Sequence, residues 1–118
     1  MTKTTTIAVL GAALCAAGGA FAQAAPGDAA RGAQKVQMCQ GCHGIEGWRT
    51  AFPEVYRVPR IAGQHPQYFV NSLKAYRNGD RTHPSMRGIA ATLTDQDMAD
   101  LAAYYASPGS ETIGKAAK

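Results

Sequence analysis

The residues of this chain that could do chemistry lie together in "MCQGCHG", residues 38–44. Cys39 and Cys42 are three positions apart, and His43 directly follows the second thiol. Residues of these types at this spacing can form a disulfide, contribute to a zinc site, act as a redox-active dithiol or attach a haem covalently. The rest of the sequence has to distinguish among these four chemistries.

A disulfide between these thiols would stabilise the fold little, because the stabilisation grows with the length of the loop that the bridge closes. A zinc site needs three or four ligands, and His65 and His83 do not form a second ligand pair at a suitable spacing. A thioredoxin-like dithiol would follow a strand in a βαβ unit, whereas the residues before Cys39 have helical periodicity. None of these three chemistries is well supported by its surroundings.

Covalent haem attachment has a definite mechanical basis. Two thiols three residues apart on a helical turn can both add to the vinyl groups of one porphyrin. The next residue then lies under the iron, so that its imidazole becomes the proximal ligand. The Cys-x-x-Cys-His pattern therefore favours a haem, with a zinc site and a redox dithiol as the alternatives.

The other face of the iron requires a distal ligand from further along the chain. Met86 lies in "THPSMRGIA", which we expect to be a non-helical segment, and its thioether suits haem iron. Met38 is too close to the thiols to reach the distal face, and Met98 fits the core of the last helix better. Met86 is therefore the favoured ligand, with His83, His65 or an open position as the alternatives.

The first 22 residues have the features of a cleaved secretory signal peptide. One lysine precedes an apolar run rich in Gly and Ala, and an Ala-x-Ala pattern ends at Ala22. The remaining 23–118 correspond to one domain, with a core at about 28–107 and a flexible C-terminal tail. No second apolar run follows, so we expect a soluble domain without a membrane span, exported to the periplasm.

Charge is unevenly distributed along the 118 residues, which carry a net charge of +4. Residues 49–87 contain seven basic and only two acidic side chains, and the sequence from residue 88 onward turns acidic. The basic middle either steers an acidic partner into contact or is an ordinary solvated face. A nucleic-acid partner is not expected, because the sequence has no basic run interleaved with aromatic residues.

Three helices are predicted, and no strand. Asp28 caps the first, which continues into the cysteine motif, while Pro66 begins the second and Gly79 ends it. Thr94 and Asp97 form a capping box at the start of the third. The long Gly- and Pro-rich loop between the first two helices is expected to be functional. A haem would give the three helices an apolar surface to pack on, since the core of so small a domain is marginal.

Together these features resemble the class I c-type cytochromes, especially the small soluble bacterial ones and the single-haem halves of dihaem relatives. The resemblance extends from about Asp28 to Ser107. It rests on the first helix, "CQGCH", "VPRIAGQ", the Met86 segment and "LAAYYA", in that order. It implies an all-α fold of three main helices around one covalent haem c, with the first and last helices crossing closely at Gly32.

The resemblance also assigns the site residues: thioether-forming Cys39 and Cys42, axial iron ligands His43 and Met86, and cofactor-contacting Pro59 and Ile61. The carbonyl of Pro59 would accept a hydrogen bond from His43 and so orient the imidazole. Ile61 would lie against the porphyrin. Three further side chains are candidates to reach the haem propionates: Arg60, Trp48 and Tyr68.

The function implied by the resemblance is that of a periplasmic carrier of single electrons, and not of an enzyme. The alternative is a haem c subunit of a periplasmic oxidoreductase complex, in which a partner chain would hold the catalytic site. A gas-binding or peroxide-reacting haem enzyme would need an open sixth position at the iron. The expected partners are redox proteins with an acidic docking face, and the chain is expected to be a monomer.

Overall fold

The computed structural model describes residues 25–51 and 55–110. These residues form five helices: α1 Ala29–Ala33, α2 Gln37–His43, α3 Pro66–Asn78, α4 Pro84–Ala91 and α5 Asp95–Ala106. No strand occurs in these ranges beyond an isolated antiparallel bridge between Arg49 and Arg57, so the all-α prediction is confirmed. None of these helices is long and apolar enough to cross a bilayer. The predicted signal peptide, 1–22, and the residues from 111 onward lie outside the described residues.

The helix ends follow the local rules on which their prediction was based. The Asp28 side chain accepts hydrogen bonds from two amides in the first turn of α1. Pro66 occupies the start of α3, and Gly79 ends it with φ of 91°, a left-handed conformation that favours glycine. In the capping box of α5, the Asp97 amide donates to Thr94 Oγ1 (3.1 Å) and the Thr94 amide donates to Asp97 Oδ2 (2.9 Å).

The predicted first helix is divided into α1 and α2 by a tight turn at residues 34–36. The Gln34 amide donates to the Arg31 carbonyl (3.2 Å), and the Lys35 amide donates to the Gly32 carbonyl (2.9 Å). These bonds span three residues rather than four, which tightens the chain relative to an α-helix. The backbone nevertheless stays in the right-handed helical region at Gln34 and Val36, so α2 follows closely from the end of α1.

The prediction of a non-helical segment around Met86 is wrong, because Met86 lies in the first turn of α4. Pro84 begins this helix, where its missing N–H would have had no helical partner. The His83 side chain caps the helix through Nδ1, which accepts a hydrogen bond from the Met86 amide at 3.4 Å. Pro84 therefore marks the start of a helix and not a loop.

The helix α1 and the residues just before it lie so close to α5 that no side chain fits between the two backbones at two points. A Cβ atom at Gly32 would overlap the Asp100 carbonyl oxygen and lie 2.7 Å from the Tyr104 Cβ. A Cβ atom at Gly27 would overlap the Ala99 carbonyl oxygen. The close crossing expected at Gly32 is therefore confirmed, and Gly27 extends it to the residues before α1.

A buried carboxylate reinforces this crossing. Asp100 is fully buried on α5 and accepts hydrogen bonds from the Asp28 amide (2.9 Å), from Arg31 Nε (3.0 Å) and Nη2 (2.9 Å), and from Gln96 Nε2 (2.9 Å). Lys35 Nζ lies 3.4 Å from Oδ2, the oxygen that also accepts the hydrogen bond from Arg31 Nε. Both oxygens of the buried carboxylate thus have hydrogen-bond donors, which is the condition for burying a carboxylate without large cost.

These contacts, led by the hydrogen bonds from Arg31, hold the pKa of Asp100 far below its usual range. A carboxyl group whose pKa is lower in the folded than in the unfolded state stabilises the fold above its unfolded pKa, which is about 4. That stabilisation is lost as the pH falls through the folded-state pKa. Asp100 therefore ties α1 to α5 throughout the neutral range.

The core is built on this crossing. The fully buried Met98 and Leu101 of α5 pack with Phe69 and Leu73 of α3 in one apolar cluster. Leu93, which precedes the cap of α5, is also buried in it. The assignment of Met98 to the core is thereby confirmed. On its other side the cluster contacts partly buried side chains from α2, α4 and the loop: Cys39, Met86, Ile89 and Ile61.

We predict that Gly32→Ala will destabilise the protein, because the new methyl group must displace backbone atoms of α5. The free energy of unfolding should fall by about 1–3 kcal/mol, the usual cost of overpacking. Gly41→Ala is the matched control, since Gly41 also lies in a helix but a Cβ there meets nothing within 4 Å. The control should be neutral or gain up to about 1 kcal/mol. Equal stability of the two variants in thermal or denaturant unfolding would contradict the close crossing.

Candidate functional site

A cavity of about 780 Å³ opens beside the core, within the range of about 300–1,000 Å³ typical of cofactor and ligand sites. Its walls come from the helices α2 to α5, from the loop that joins α2 to α3 and from the segment between α3 and α4. All six residues that the sequence assigned to the cofactor lie in its lining: Cys39, Cys42, His43, Pro59, Ile61 and Met86. The fold therefore brings together residues from three separate parts of the chain.

The helix α2 presents the two thiols to the cavity. Cys39 and Cys42 are three residues apart in a helix, a spacing that places side chains on the same face. Both are free thiols; Cys39 is partly buried against the core and Cys42 is exposed. Burial raises the pKa of the Cys39 thiol, opposed in part by the Tyr105 hydroxyl. Both thiols thus line the cavity, and Cys39 is more deeply buried than Cys42.

The imidazole of His43 is held by the loop. Its Nδ1 lies 2.6 Å from the carbonyl oxygen of Pro59. Since a carbonyl oxygen only accepts, Nδ1 must carry the proton and donate it, which leaves the lone pair of Nε2 available for a metal. This is the tautomer that an iron-binding histidine requires, fixed by a backbone group.

Backbone hydrogen bonds hold the loop around Pro59 in place. The Val58 amide donates to the Trp48 carbonyl (3.0 Å), and the Thr50 amide donates to the Tyr56 carbonyl (3.0 Å). Next to Pro59 on its other side, Ile61 packs against the core. The chain on both sides of the Pro59 carbonyl is therefore anchored.

Met86 reaches the cavity from α4, and its side chain is partly buried against the core. His83 also lines the cavity, but its Nδ1 accepts the hydrogen bond from the Met86 amide. His65 is exposed at the start of α3 and is not a lining residue, and neither is the fully buried Met98. Met38 lines the cavity from α2, one residue before the first thiol. The assignment of the distal ligand to Met86 stays a prediction.

The charged side chains in the lining of the cavity are basic. Arg57, Arg60 and Arg81 line it, and no Asp or Glu does among the residues that the structure describes. Arg81 also lies over the ring of Tyr76, 4.9 Å from its centroid. Of the three side chains suggested for the propionates, the structure brings Arg60 and Tyr68 to the cavity, while the exposed Trp48 is not a lining residue.

The arrangement fits a haem better than the alternatives. No group of three or more His, Cys, Asp or Glu suited to a metal ion occurs within 25–51 and 55–110, so the zinc hypothesis has no ligand set there. The cysteine motif lies on a helix and follows a helix, rather than a strand, which argues against a thioredoxin-like dithiol. An apolar cavity edged by two thiols and an imidazole with a protonated Nδ1 suits a covalently attached porphyrin.

One contact at the site has no signal in the sequence. The ring of Tyr56, in the loop, lies against the ring of His83, with centroids 4.4 Å apart and planes inclined by 50°. The two residues are separated by 27 positions, and neither belongs to a recognisable motif. Only the path of the loop around the cavity brings them together.

Comparison with known proteins gives the same interpretation. The model of the cytochrome c family matches residues 29–107. The chain is 43% identical over 84 residues to cytochrome c-554(548) from Halomonas halodenitrificans, an alignment that covers 69% of this chain and 96% of that protein. It is 41% identical over 83 residues to cytochrome c4 from Pseudomonas aeruginosa, covering 70% of this chain and 39% of the relative.

A further relative is the thiosulfate dehydrogenase electron acceptor of Thiomonas intermedia, 33% identical over 105 residues. The alignment covers 89% of this chain and 43% of that protein. The chain thus spans less than half of this relative and of cytochrome c4, but nearly all of cytochrome c-554(548).

Proposed function

The chain belongs to the cytochrome c family, and we propose that it is a periplasmic protein that carries single electrons. Haem c is its cofactor, and it supplies reversible one-electron exchange between Fe(III) and Fe(II) when bound. The observation that carries the proposal is the convergence of both thiols, His43 and Met86 on one apolar cavity.

Four side chains hold the cofactor in different ways. Cys39 and Cys42 form thioether bonds to it, His43 provides the proximal nitrogen through Nε2, and Met86 provides a thioether sulfur from α4. A methionine ligand raises the reduction potential relative to a second imidazole. With both axial positions occupied by side chains, no position is left for a substrate. The protein is therefore an electron carrier and not an enzyme.

A second role rests on the likeness to the thiosulfate dehydrogenase electron acceptor. In this role the domain is the haem c subunit of a periplasmic oxidoreductase, and a partner chain holds the catalytic centre. The two roles predict different states of association with other proteins. A free carrier runs as a monomer in size-exclusion chromatography of a native extract, whereas a subunit elutes with a larger protein.

The periplasmic location rests on residues 1–22, whose single lysine, apolar run and Ala-x-Ala end indicate a cleaved secretory signal. Removal of this segment leaves the mature chain at 23–118. Cleavage is tested by N-terminal sequencing of the protein isolated from the periplasm, which should begin at Gln23.

The distribution of ion pairs supports a basic docking surface. The acidic residues of α5 are paired with cations: Asp95 Oδ2 with Lys74 Nζ (2.8 Å), Asp95 Oδ1 with Arg77 Nη2 (2.7 Å), and Asp97 with Lys35. The hydrogen bond from Lys35 is the main cause that lowers the pKa of Asp97 to about 2. These carboxylates therefore remain charged and locally neutralised at physiological pH.

In contrast, five exposed arginines in the segments around the cavity form no ion pair with any residue in 25–51 or 55–110. We name them the cavity-side arginines: Arg49, Arg57, Arg60, Arg81 and Arg87. The charge of these arginines beside the haem site would orient an acidic redox partner and raise the rate of encounter. Arg87, which follows the proposed ligand directly, is exposed and so can contribute to this surface.

The distal ligand is tested by Met86→Ala. The variant should keep its haem covalently attached but lose the charge-transfer band of methionine-ligated ferric haem, and in the reduced state it should bind carbon monoxide at neutral pH. Met98→Leu is the control, since Met98 is fully buried and does not line the cavity, and it should keep the band. Persistence of the band in Met86→Ala, or ready binding of carbon monoxide by the reduced wild type, would contradict the assignment.

The docking surface is tested with small redox reagents. Oxidation of the reduced protein by anionic ferricyanide should slow about two- to fivefold in Arg87→Gln at low ionic strength, and the difference should disappear at high salt. Lys74→Gln changes the net charge equally but removes a paired cation of α3, so its rate should stay near that of the wild type. An unchanged absorption spectrum must accompany each variant. Equal slowing in both variants would show that only net charge matters.

A further inference from the structure

We propose that His83, held in place by Tyr56, is a positioning residue that keeps Met86 at the haem iron. The inference rests on the proposed function, because it takes Met86 as the distal ligand. Its basis is the contact network that joins the loop to the first turn of α4.

The first turn of α4 depends on His83. The backbone of His83 is extended, with φ of −162° and ψ of 114°, and its carbonyl accepts the Arg87 amide at 2.9 Å. Its side chain accepts the Met86 amide through Nδ1. Of the first amides of the helix, which lack helical partners, that of Met86 is therefore satisfied by this imidazole.

A capping interaction matters more in this helix than in a long one. The helix α4 has only eight residues, and isolated helices of that length are unstable in water. The hydrogen bond from Met86 to His83 is also long, at 3.4 Å, so the imidazole needs a further support to stay in the capping position. Loss of the cap would allow the first turn, and Met86 with it, to fray.

Tyr56 provides that support. Its ring lies against the His83 ring with centroids 4.4 Å apart. Its own backbone is fixed to Thr50, since the Tyr56 amide donates to Thr50 Oγ1 at 3.0 Å and its carbonyl accepts the Thr50 amide at the same distance. The imidazole is therefore confined between its own helix and a loop that is anchored independently.

The same loop fixes the proximal side of the site. Three residues after Tyr56, the carbonyl of Pro59 accepts the hydrogen bond from His43. One segment, 55–61, thus contacts the residue that orients Met86 and the residue proposed as the proximal ligand. The relative placement of the two proposed ligands is set through this segment.

The test is an imidazole titration of the oxidised, haem-loaded full-length protein, followed by loss of the charge-transfer band. Imidazole competes with Met86 for the iron, so its apparent affinity measures how readily Met86 leaves. In His83→Ala it should bind about fivefold more tightly, a change of the size that an N-cap contributes to helix stability. His83→Asn retains a capping acceptor and should stay within about twofold of the wild type.

Two further variants separate positioning from stability. Tyr56→Leu should shift the imidazole affinity in the same direction as His83→Ala. It removes the aromatic ring that lies against His83 but leaves the capping side chain itself unchanged. Thr94→Ala removes the cap of α5 instead, so it should lower the unfolding temperature while leaving the imidazole affinity within about twofold of the wild type.

The outcomes distinguish the assignment of Met86 as the ligand from the inference that His83 positions it. A wild-type spectrum without the charge-transfer band would overturn the ligand assignment and the inference together. If the wild type shows the band but His83→Ala binds imidazole with unchanged affinity, only the inference is overturned. Equal tightening in Thr94→Ala would also overturn it, by attributing the effect to global stability. Retention of the band in Met86→Ala would overturn both the ligand assignment and the inference, because the band would then come from a different methionine.

Discussion

The close approach of α1 to α5 is the constraint on which the rest of this structure depends. At Gly27 and Gly32 the two backbones meet without intervening side chains, and Asp100 joins them through buried hydrogen bonds. Since α2 follows α1 after a single tight turn, the direction of α1 determines where the two thiols lie. The same crossing places Leu101 of α5 in the lining of the cavity. The site is thus oriented by a contact outside it.

The loop between α2 and α3 forms one part of the cavity wall. Through Pro59 it fixes the tautomer of His43, and through Tyr56 it contacts the residue that caps α4. The Pro59 carbonyl holds His43 directly, whereas the position of Met86 depends on a helix of only two turns. His43 is therefore placed more firmly than Met86. A bound haem would complete the core of this small domain, because its apolar surface lies against side chains that otherwise line an open cavity.

The parts of the fold that obey local rules could be predicted from the sequence. The Cys-x-x-Cys-His pattern, the capping box of Thr94 and Asp97, and the proline and glycine that bound α3 each depend on residues only a few positions apart. The crossing at Gly32 could be expected because a glycine inside a helix is unfavourable without a compensating contact. The wrong prediction around Met86 also has a local cause, since a proline occurs in loops and at helix starts alike.

What could not be predicted depends on the tertiary path of the chain. Asp100 looks like any surface carboxylate of an acidic segment, and its burial becomes clear only when Arg31 and the Asp28 amide are placed beside it. The pairing of Tyr56 with His83 likewise requires the loop to pass around the cavity. The charge pattern predicted a basic middle, but only the ion pairs distinguish compensated cations from the cavity-side arginines.

The central claim, that a haem is bonded to the chain at Cys39 and Cys42, is tested most directly by intact-mass spectrometry of the exported protein after extraction with acidified acetone. The account predicts a mass larger than that of the mature polypeptide by one haem. It also predicts that the proteolytic peptide containing residues 39–43 keeps the haem and has no thiol open to alkylation. A folded, colourless protein with the bare polypeptide mass and two reactive thiols would contradict it.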